Sequence, residues 1–453
     1  MKKRLLFSIL FTFLGWQLFA QSYPGNPYIE KNYVGDWGKL KLVGTQLSSA
    51  SGNPVQLKGW STHGWQFGDV RKATFDSKAG FAGMKSFGAN VARIAAYISP
   101  TEGVNDQTLL DIISWIKRCM AWTYELNMYC IVDFHVHDPG FPTYYLEGGK
   151  LNRSAEAFFR EICSEASAKG YNHVLYEICN EPSAKNASIE GQLTAPSARQ
   201  TWEDVKAYTE KILPIIEEHD PNAVVIIGTP QACLRVDVAA SDPISTGGNS
   251  KLNIMYTFHF YACSHLNDFN RYMKEVSSQI PIFATEWSLT AANGTGNPCN
   301  ANATTFTDYC RDHKISWCSW SWCAKRETSA AILASIRITD TNKEDYIYSE
   351  NDLTEVGLFV KGKLQEPSPS SLSEVKNILF GIYPNPAKDG VFNISLENNS
   401  LTTISISNVQ GKMVYSSTIE NKEATINANL KAGVYVVTIK NENGTGTQKL
   451  VVE

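Results

Sequence analysis

The chain has 453 residues, too many for one ordinary domain and suited to a barrel of about 250 or more residues plus a smaller unit. Hydrophobic residues make up 43 % of it, enough for a sizeable core, and the net charge is −4 with no strongly basic or acidic block. That balance argues against nucleic acid or an anionic membrane surface as a partner.

Residues 1–20 read as a signal peptide: Lys2, Lys3 and Arg4 open it, an apolar run from Leu5 to about Leu14 follows, and Ala20 precedes Gln21. The run is shorter than the ~20 residues needed to span a bilayer. Residues 21–36 form a Pro/Gly/Tyr-rich lead-in. From 37 to 364 short apolar runs alternate with helical patterns. The runs are 55–61, 89–97, 128–136, 173–181, 223–230, 254–261, 280–288 and 315–322; helical spacing occupies 107–126, 155–169, 200–219 and 264–279. Runs that are apolar throughout suit strands buried on both faces of a parallel sheet. Eight such units predict an α/β fold, a (β/α)₈ barrel, over a doubly wound open sheet, because polar residues collect at so many strand ends. Residues 365–377 form a Pro/Ser linker. Residues 378–453 then alternate polar and apolar positions between turns, with Asn443-Gly444 as a hairpin signal, and predict a small all-β sandwich that does no chemistry.

Ten cysteines are present. Cys130, Cys179 and Cys318 fall inside apolar runs and read as small buried hydrophobes. Cys299 and Cys310 flank what reads as a loop and are the expected pair. Cys318 and Cys323 lack a second pair, which argues against a zinc site.

Barrel enzymes work at the C-terminal ends of their strands. There this chain carries His63 on strand 1, Arg93 on strand 2, Asp133, His135 and His137 on strand 3, and Asn180-Glu181-Pro182 on strand 4. It carries His259 and Tyr261 on strand 6, Glu286 on strand 7, and Trp317, Trp320 and Trp322 on strand 8. Taken singly, each has a structural explanation: a capping glutamate, a barrel ion pair, a core histidine, a core tryptophan. Their joint position at one rim points to chemistry. Two carboxyls, Glu181 and Glu286, facing each other across the mouth are what acetal hydrolysis needs, one to protonate the leaving oxygen and one to attack carbon or activate water. Arg93 beside Glu286 would favour a carboxylate there. Tyr261 could donate to the same group, and Asn180 could hold a sugar 2-hydroxyl. His135 and His137 share a strand face and invite a metal reading. Metal-dependent amidohydrolase barrels place such a pair on the first strand with further ligands, so neither metal nor cofactor is expected here. A retired barrel that only binds glycan is the third class.

At these residues the chain resembles glycoside hydrolase family 5, and within it the bacterial endo-β-1,4-glucanases, over about residues 38–330. The segments are KGWSTHGWQF, ARIAAY, VDFHVHDPG, YEICNEP, FHFYA, FATEWS and ISWCSWSWCAKRE. The resemblance implies a retaining mechanism, with Glu181 as acid/base and Glu286 as nucleophile. It implies active-site positions at His63, Arg93, His135, Asn180, His259 and Tyr261, and a glycone-side lining of Tyr97, Trp320, Lys325 and Glu327. The partner it implies is a β-glucan polysaccharide, with mannan, xyloglucan or mixed-linkage glucan as the alternative, and a monomer is expected. Phe67 stands where many relatives have Trp, and Trp322 and Cys323 depart from the usual polar residues of strand 8. The C-terminal segments YPNPAKDG, ISNVQGKMVY, LKAGVYVVTI and QKLVV resemble the sorting domain of type IX secretion systems. That implies the secretion machinery as a second partner and a secreted or cell-surface protein, with a carbohydrate-binding sandwich as the alternative.

Overall fold

The computed structural model describes residues 37–453 apart from 69–71, 138–139, 147–154, 184–196, 247–249, 368–379, 410–411 and 442–443. The leader, the lead-in, most of the linker and Asn443 therefore lie outside the described residues. The chain divides into two compact units at Glu366/Pro367.

In the first unit each of the eight apolar runs contains a strand. A short hairpin, β1 (Lys41–Val43) and β2 (Gln46–Ser48), precedes them. Then come β3 (Lys58–Ser61), β4 (Val91–Tyr97), β5 (Tyr129–His135), β6 (Val174–Glu177), β7 (Val224–Ile227), β8 (Asn253–Tyr261), β9 (Ile282–Ser288) and β10 (Ser316–Ser319). All pair in parallel, and β10 returns to β3 to close the barrel. β4, β5 and β9 are buried at every position, which is why their sequences lack polar alternation. The helices Asp106–Glu125, Ala155–Ala168 and Ala198–His219 match the spacing read from sequence. Asn105 caps the first by accepting from Thr108 N at 3.0 Å, and a Ser197/Gln200 capping box starts the third. The pattern at 264–279 is instead broken into Leu266–Asp268, a π-helical turn Phe269–Met273 and Lys274–Val276.

The barrel interior has two storeys. Leu57, Val91, Tyr129, Ile131, Leu175, Val224, Ile226, Met255, Phe283 and Cys318 fill the lower one. Leu40, Leu47 and Val55, around the β1–β2 hairpin, close it from below. The upper storey is polar and forms the site. One irregularity sets its composition. The β8–β9 ladder pairs Thr257 with Phe283 but His259 with Glu286, so two residues of β8 span three of β9. This bulge lets the neighbours Thr285 and Glu286 both serve the lumen, while Ala284 and Trp287 pack outward into the helical layer.

The expected Cys299–Cys310 disulfide does not form. Cys299 bonds Cys263, with Cα atoms 5.4 Å apart, and Cys310 is a buried free thiol. What read as a loop is the helix Asn300–Asp312. Eleven residues of helix rise ~16 Å, beyond disulfide reach.

The second unit is all β: β11 (Phe380–Lys388), β12 (Val391–Leu396), β13 (Thr402–Asn408), β14 (Met413–Ile419), β15 (Glu423–Asn427), β16 (Gly433–Asn441) and β17 (Gly444–Val452). β11 bridges two arms, pairing with β12 through its first half and with β17 at Ala387. Both arms contribute to one core, with Phe392 and Ile394 from one side and Ile404, Ile406, Val437 and Ile439 from the other.

Candidate active site

Arg93 organises the polar storey. It is fully buried, and a buried guanidinium is tolerated only when its donors are matched. Nε and Nη2 grip Glu177 at 2.7 and 3.1 Å, Nη2 also reaches Asp133 Oδ2 at 2.9 Å and Asn180 Oδ1 at 2.8 Å, and Nη1 reaches Glu286 Oε2 at 3.0 Å. One cation thus faces three carboxyl groups. Burial pushes Asp133 up to about 7, with Glu286 and Glu181 adding to the rise and Arg93 and His259 opposing it. Glu177 is raised by burial as well, against the pull of Arg93. His135 Nδ1 lies 2.6 Å from Asp133 Oδ2; burial and the charge of Arg93 draw its imidazole well below its ordinary value.

Glu286 is held from both sides, by Arg93 at Oε2 and by the Tyr261 hydroxyl at Oε1, 2.5 Å away. Glu181 follows β6 in a left-handed backbone conformation (φ 36°), a strained state for glutamate that recurs at functional positions. Its Oε1 lies 2.9 Å from His259 Nδ1, and its side chain is 22 % exposed, open to the mouth. Burial would raise Glu181, but the hydrogen bond and charge of His259 outweigh it and draw the carboxyl down to about 2. Burial lowers His259; Cys233, Glu181 and Glu286 reverse this and raise it well above its ordinary value. Asn180 donates to Val136 O at 3.1 Å while accepting from Arg93, which leaves one amide hydrogen for a ligand.

One atom each of Glu181, His259 and Glu286 lies within 4.8 Å of the others, a spacing a cation could bridge. Both Glu286 oxygens already take donors inside the protein, and His259 Nδ1 faces Glu181 Oε1. His135 and His137, the pair that suggested metal, part company. His135 turns to Asp133, whereas exposed His137 contacts Glu102 at 3.0 Å.

An aromatic wall stands beside the two acids. Tyr97 stacks on His135 (4.1 Å) and on His63 (5.6 Å), Trp320 stacks on His135 (5.7 Å), and Phe67 meets Tyr97 edge-on. Lys325 reaches Glu327 at 2.5 Å and His63 Nε2 at 3.5 Å. Trp317 and Trp322 are not part of this wall; they pack in the outer core against Trp287 and Trp60. Glu177 and Thr285 belong to the polar storey but were not singled out from sequence. Glu177 stands in the apolar run of β6, four residues before Glu181, and only an unpaired charge in such a run could have signalled it. Thr285 is one more β-branched residue in a strand.

Residues 48–326 match the family model described as Cellulase (glycosyl hydrolase family 5), and residues 381–453 match the Secretion system C-terminal sorting domain. An endoglucanase of Clostridium saccharobutylicum is 34 % identical over 326 residues, 72 % of this chain; the chain spans 64 % of that relative's length. The crystal structure of the catalytic domain of a Thermobifida fusca endoglucanase is similar with a TM-score of 0.61 at 29 % identity, covering 74 % of this chain and 99 % of that one. A variant of the same domain, in complex with cellotetraose, gives a TM-score of 0.60 at 29 % identity over 74 % of this chain and 99 % of its own.

Proposed function

The chain belongs to glycosyl hydrolase family 5, the cellulases, and from that premise we propose that it cleaves internal β-1,4 linkages of cellulose-type glucans with retention of anomeric configuration. The observation that carries this reading is the approach of Glu181 and Glu286 oxygens to within 4.8 Å. Carboxyl groups about 5–5.5 Å apart leave no room for a water between them and the sugar, which favours attack by the carboxylate itself.

In the first step Glu286 attacks the anomeric carbon while Glu181 gives its proton to the departing glycosidic oxygen. Arg93 and Tyr261 fix the attacking carboxylate, and the remaining Asn180 amide hydrogen can hold the 2-hydroxyl of the reacting sugar. In the second step a water, its proton taken by Glu181, attacks the glycosyl–Glu286 ester; the proton count returns to its start. Tyr97, Trp320 and Phe67 offer ring faces for sugar C–H faces, with Lys325 and Glu327 supplying polar contacts. The cellotetraose bound by the Thermobifida relative supports a glucan as substrate. The C-terminal unit would direct export to the surface or medium, in keeping with its sorting-domain match.

The test is to incubate the purified protein with carboxymethylcellulose, mixed-linkage β-glucan, xyloglucan and mannan, and to follow product length and anomeric configuration by NMR. Retained, internally cleaved products from cellulosic glucans are expected. Inverted products, or mannan cleaved far faster than the glucans, would overturn the reading. For the residue roles, Glu181→Ala should spare aryl glycosides with good leaving groups in the first step and cripple natural glucan. Equal loss on both would sink that assignment.

A further inference from the structure

The β8–β9 bulge turns Thr285 to the lumen beside Glu286, and its hydroxyl sits at a junction. Thr285 Oγ1 lies 2.8 Å from Glu177 Oε1, 3.1 Å from His259 Nε2 and 2.5 Å from Thr257 Oγ1. Glu177 is gripped by two guanidinium nitrogens of Arg93, so it is an acceptor only. The single hydroxyl proton of Thr285 therefore goes to Glu177. Thr257 accepts from the Thr285 backbone N–H at 3.4 Å and is left to donate to Thr285 Oγ1. What remains for His259 Nε2 is to donate as well. The neutral imidazole must then carry its hydrogen on Nε2 and turn the lone pair of Nδ1 toward Glu181, 2.9 Å away.

We infer that Thr285 is a positioning residue for the acid/base: it fixes the His259 tautomer so that Glu181 and His259 hold one proton between them, the proton delivered to the leaving oxygen. The inference rests on the acid/base reading of Glu181 above. It also accounts for an otherwise awkward property of the site, an acid drawn to about 2 by its neighbour. Before bond formation the hydrogen bond to Glu181 and the charge of Glu286 favour the shared proton on the His259 side. When Glu286 bonds to the anomeric carbon that charge disappears, and the proton passes through Glu181 to the glycosidic oxygen. Hydrolysis of the ester reverses both events: Glu181 takes a proton from the attacking water and the pair is reset. The chain Arg93–Glu177–Thr285–His259 thereby joins the group that holds the nucleophile to the group that loads the acid. The charged and titratable groups that bear on His259 are Glu181 beyond β6, Glu286 on β9, Glu177 through Thr285, Asp133 on β5, Cys233 after β7 and His265 beyond β8.

Thr285→Val keeps the shape and removes the acceptor; Thr285→Ser keeps the acceptor. With the valine, the basic limb of the kcat/KM pH profile should move to lower pH, because the imidazolium loses an acceptor for Nε2–H. The rate on natural β-glucan should fall about 100-fold while aryl glycosides with good leaving groups lose under fivefold. The serine should restore both. In the full wild-type chain, nitrogen-15 spectra of His259 should show Nε2 protonated throughout the titration and Nδ1 alone changing. An unmoved basic limb with equal losses on both substrates, or a neutral His259 protonated on Nδ1, would refute the inference. The spectrum and the serine variant decide the matter even if the valine variant does not fold. Absence of retained glucan products from the wild type would instead remove the reading beneath it.

Discussion

Tyr261 and Glu286 meet in a 2.5 Å hydrogen bond, with the phenol donating to the carboxylate oxygen opposite the one held by Arg93. Glu286 is thereby fixed at both oxygens, and neither contact requires substrate. A carboxylate that must travel little to attack has its orientation set in advance. Tyr261→Phe removes one donor without leaving a large void. It should lower kcat on β-glucan about 100-fold, in the range seen when one preorganised donor is deleted, with a smaller change in KM. A loss under threefold would mean that Arg93 alone positions the carboxylate.

Asp133 makes the pH dependence of stability readable. Its carboxyl, ordinarily at 3.8, is pushed up to about 7, so the folded protein holds this proton where the unfolded chain has released it. The stabilisation that follows is complete below pH ~4 and is lost as pH rises through 7. Asp133→Asn should therefore flatten the fall in unfolding free energy between pH 4 and 7 by a few kcal/mol, measured by denaturant melts across that range. Parallel curves for the variant and the parent would show that Arg93 keeps Asp133 charged throughout.

The barrel was legible because strands covered on both faces leave uninterrupted apolar runs, and the rim was legible because polar residues end those runs. His259, Tyr261 and Glu286 could be read this way, each at the top of its strand. Glu177, Thr285 and the role of Asp133 could not, since the meaning of Glu177 and Asp133 depends on Arg93 reaching both at once, and that of Thr285 on its hydrogen bonds to Glu177 and His259. The bulge at Thr285 is a ladder property that only the partner strand reveals. The hairpin Lys41–Ser48 was missed because three-residue strands carry too short a pattern. The cysteine pairing failed where a helix was read as a loop.

The Cys263–Cys299 bond ties the segment just after Tyr261 to the start of the helix Asn300–Asp312, across 36 residues. Backbone bonds reinforce the tie: Ala262 N to Ser288 O at 2.9 Å, Cys263 N to Thr290 O at 3.1 Å and Cys299 N to Leu289 O at 2.8 Å. A closed loop of this length should contribute about 4 kcal/mol. The Cys263→Ser, Cys299→Ser double variant should lower the denaturant midpoint accordingly, and reductant should do the same to the parent but not to the variant. Reductant acting equally on both would place the effect elsewhere among the thiols.

The two compact units make separable predictions. A chain ending at Glu366 should keep kcat/KM on soluble β-glucan within about twofold, because every residue assigned to the chemistry lies in the first unit. The end point matters, however. Lys58 is buried at the base of the barrel, and its ammonium is held by the backbone carbonyls of Lys363 at 3.1 Å and Glu366 at 2.8 Å. Burial already draws this lysine down to about 8. Ending the chain at Leu364 removes one of those two acceptors from a charged donor, at a cost of about 2 kcal/mol. The shorter chain should therefore melt earlier than the chain ending at Glu366, and the gap should shrink above pH 8, where Lys58 sheds its charge. Equal melting temperatures for the two, or a gap that ignores pH, would show that water replaces the lost carbonyl without penalty.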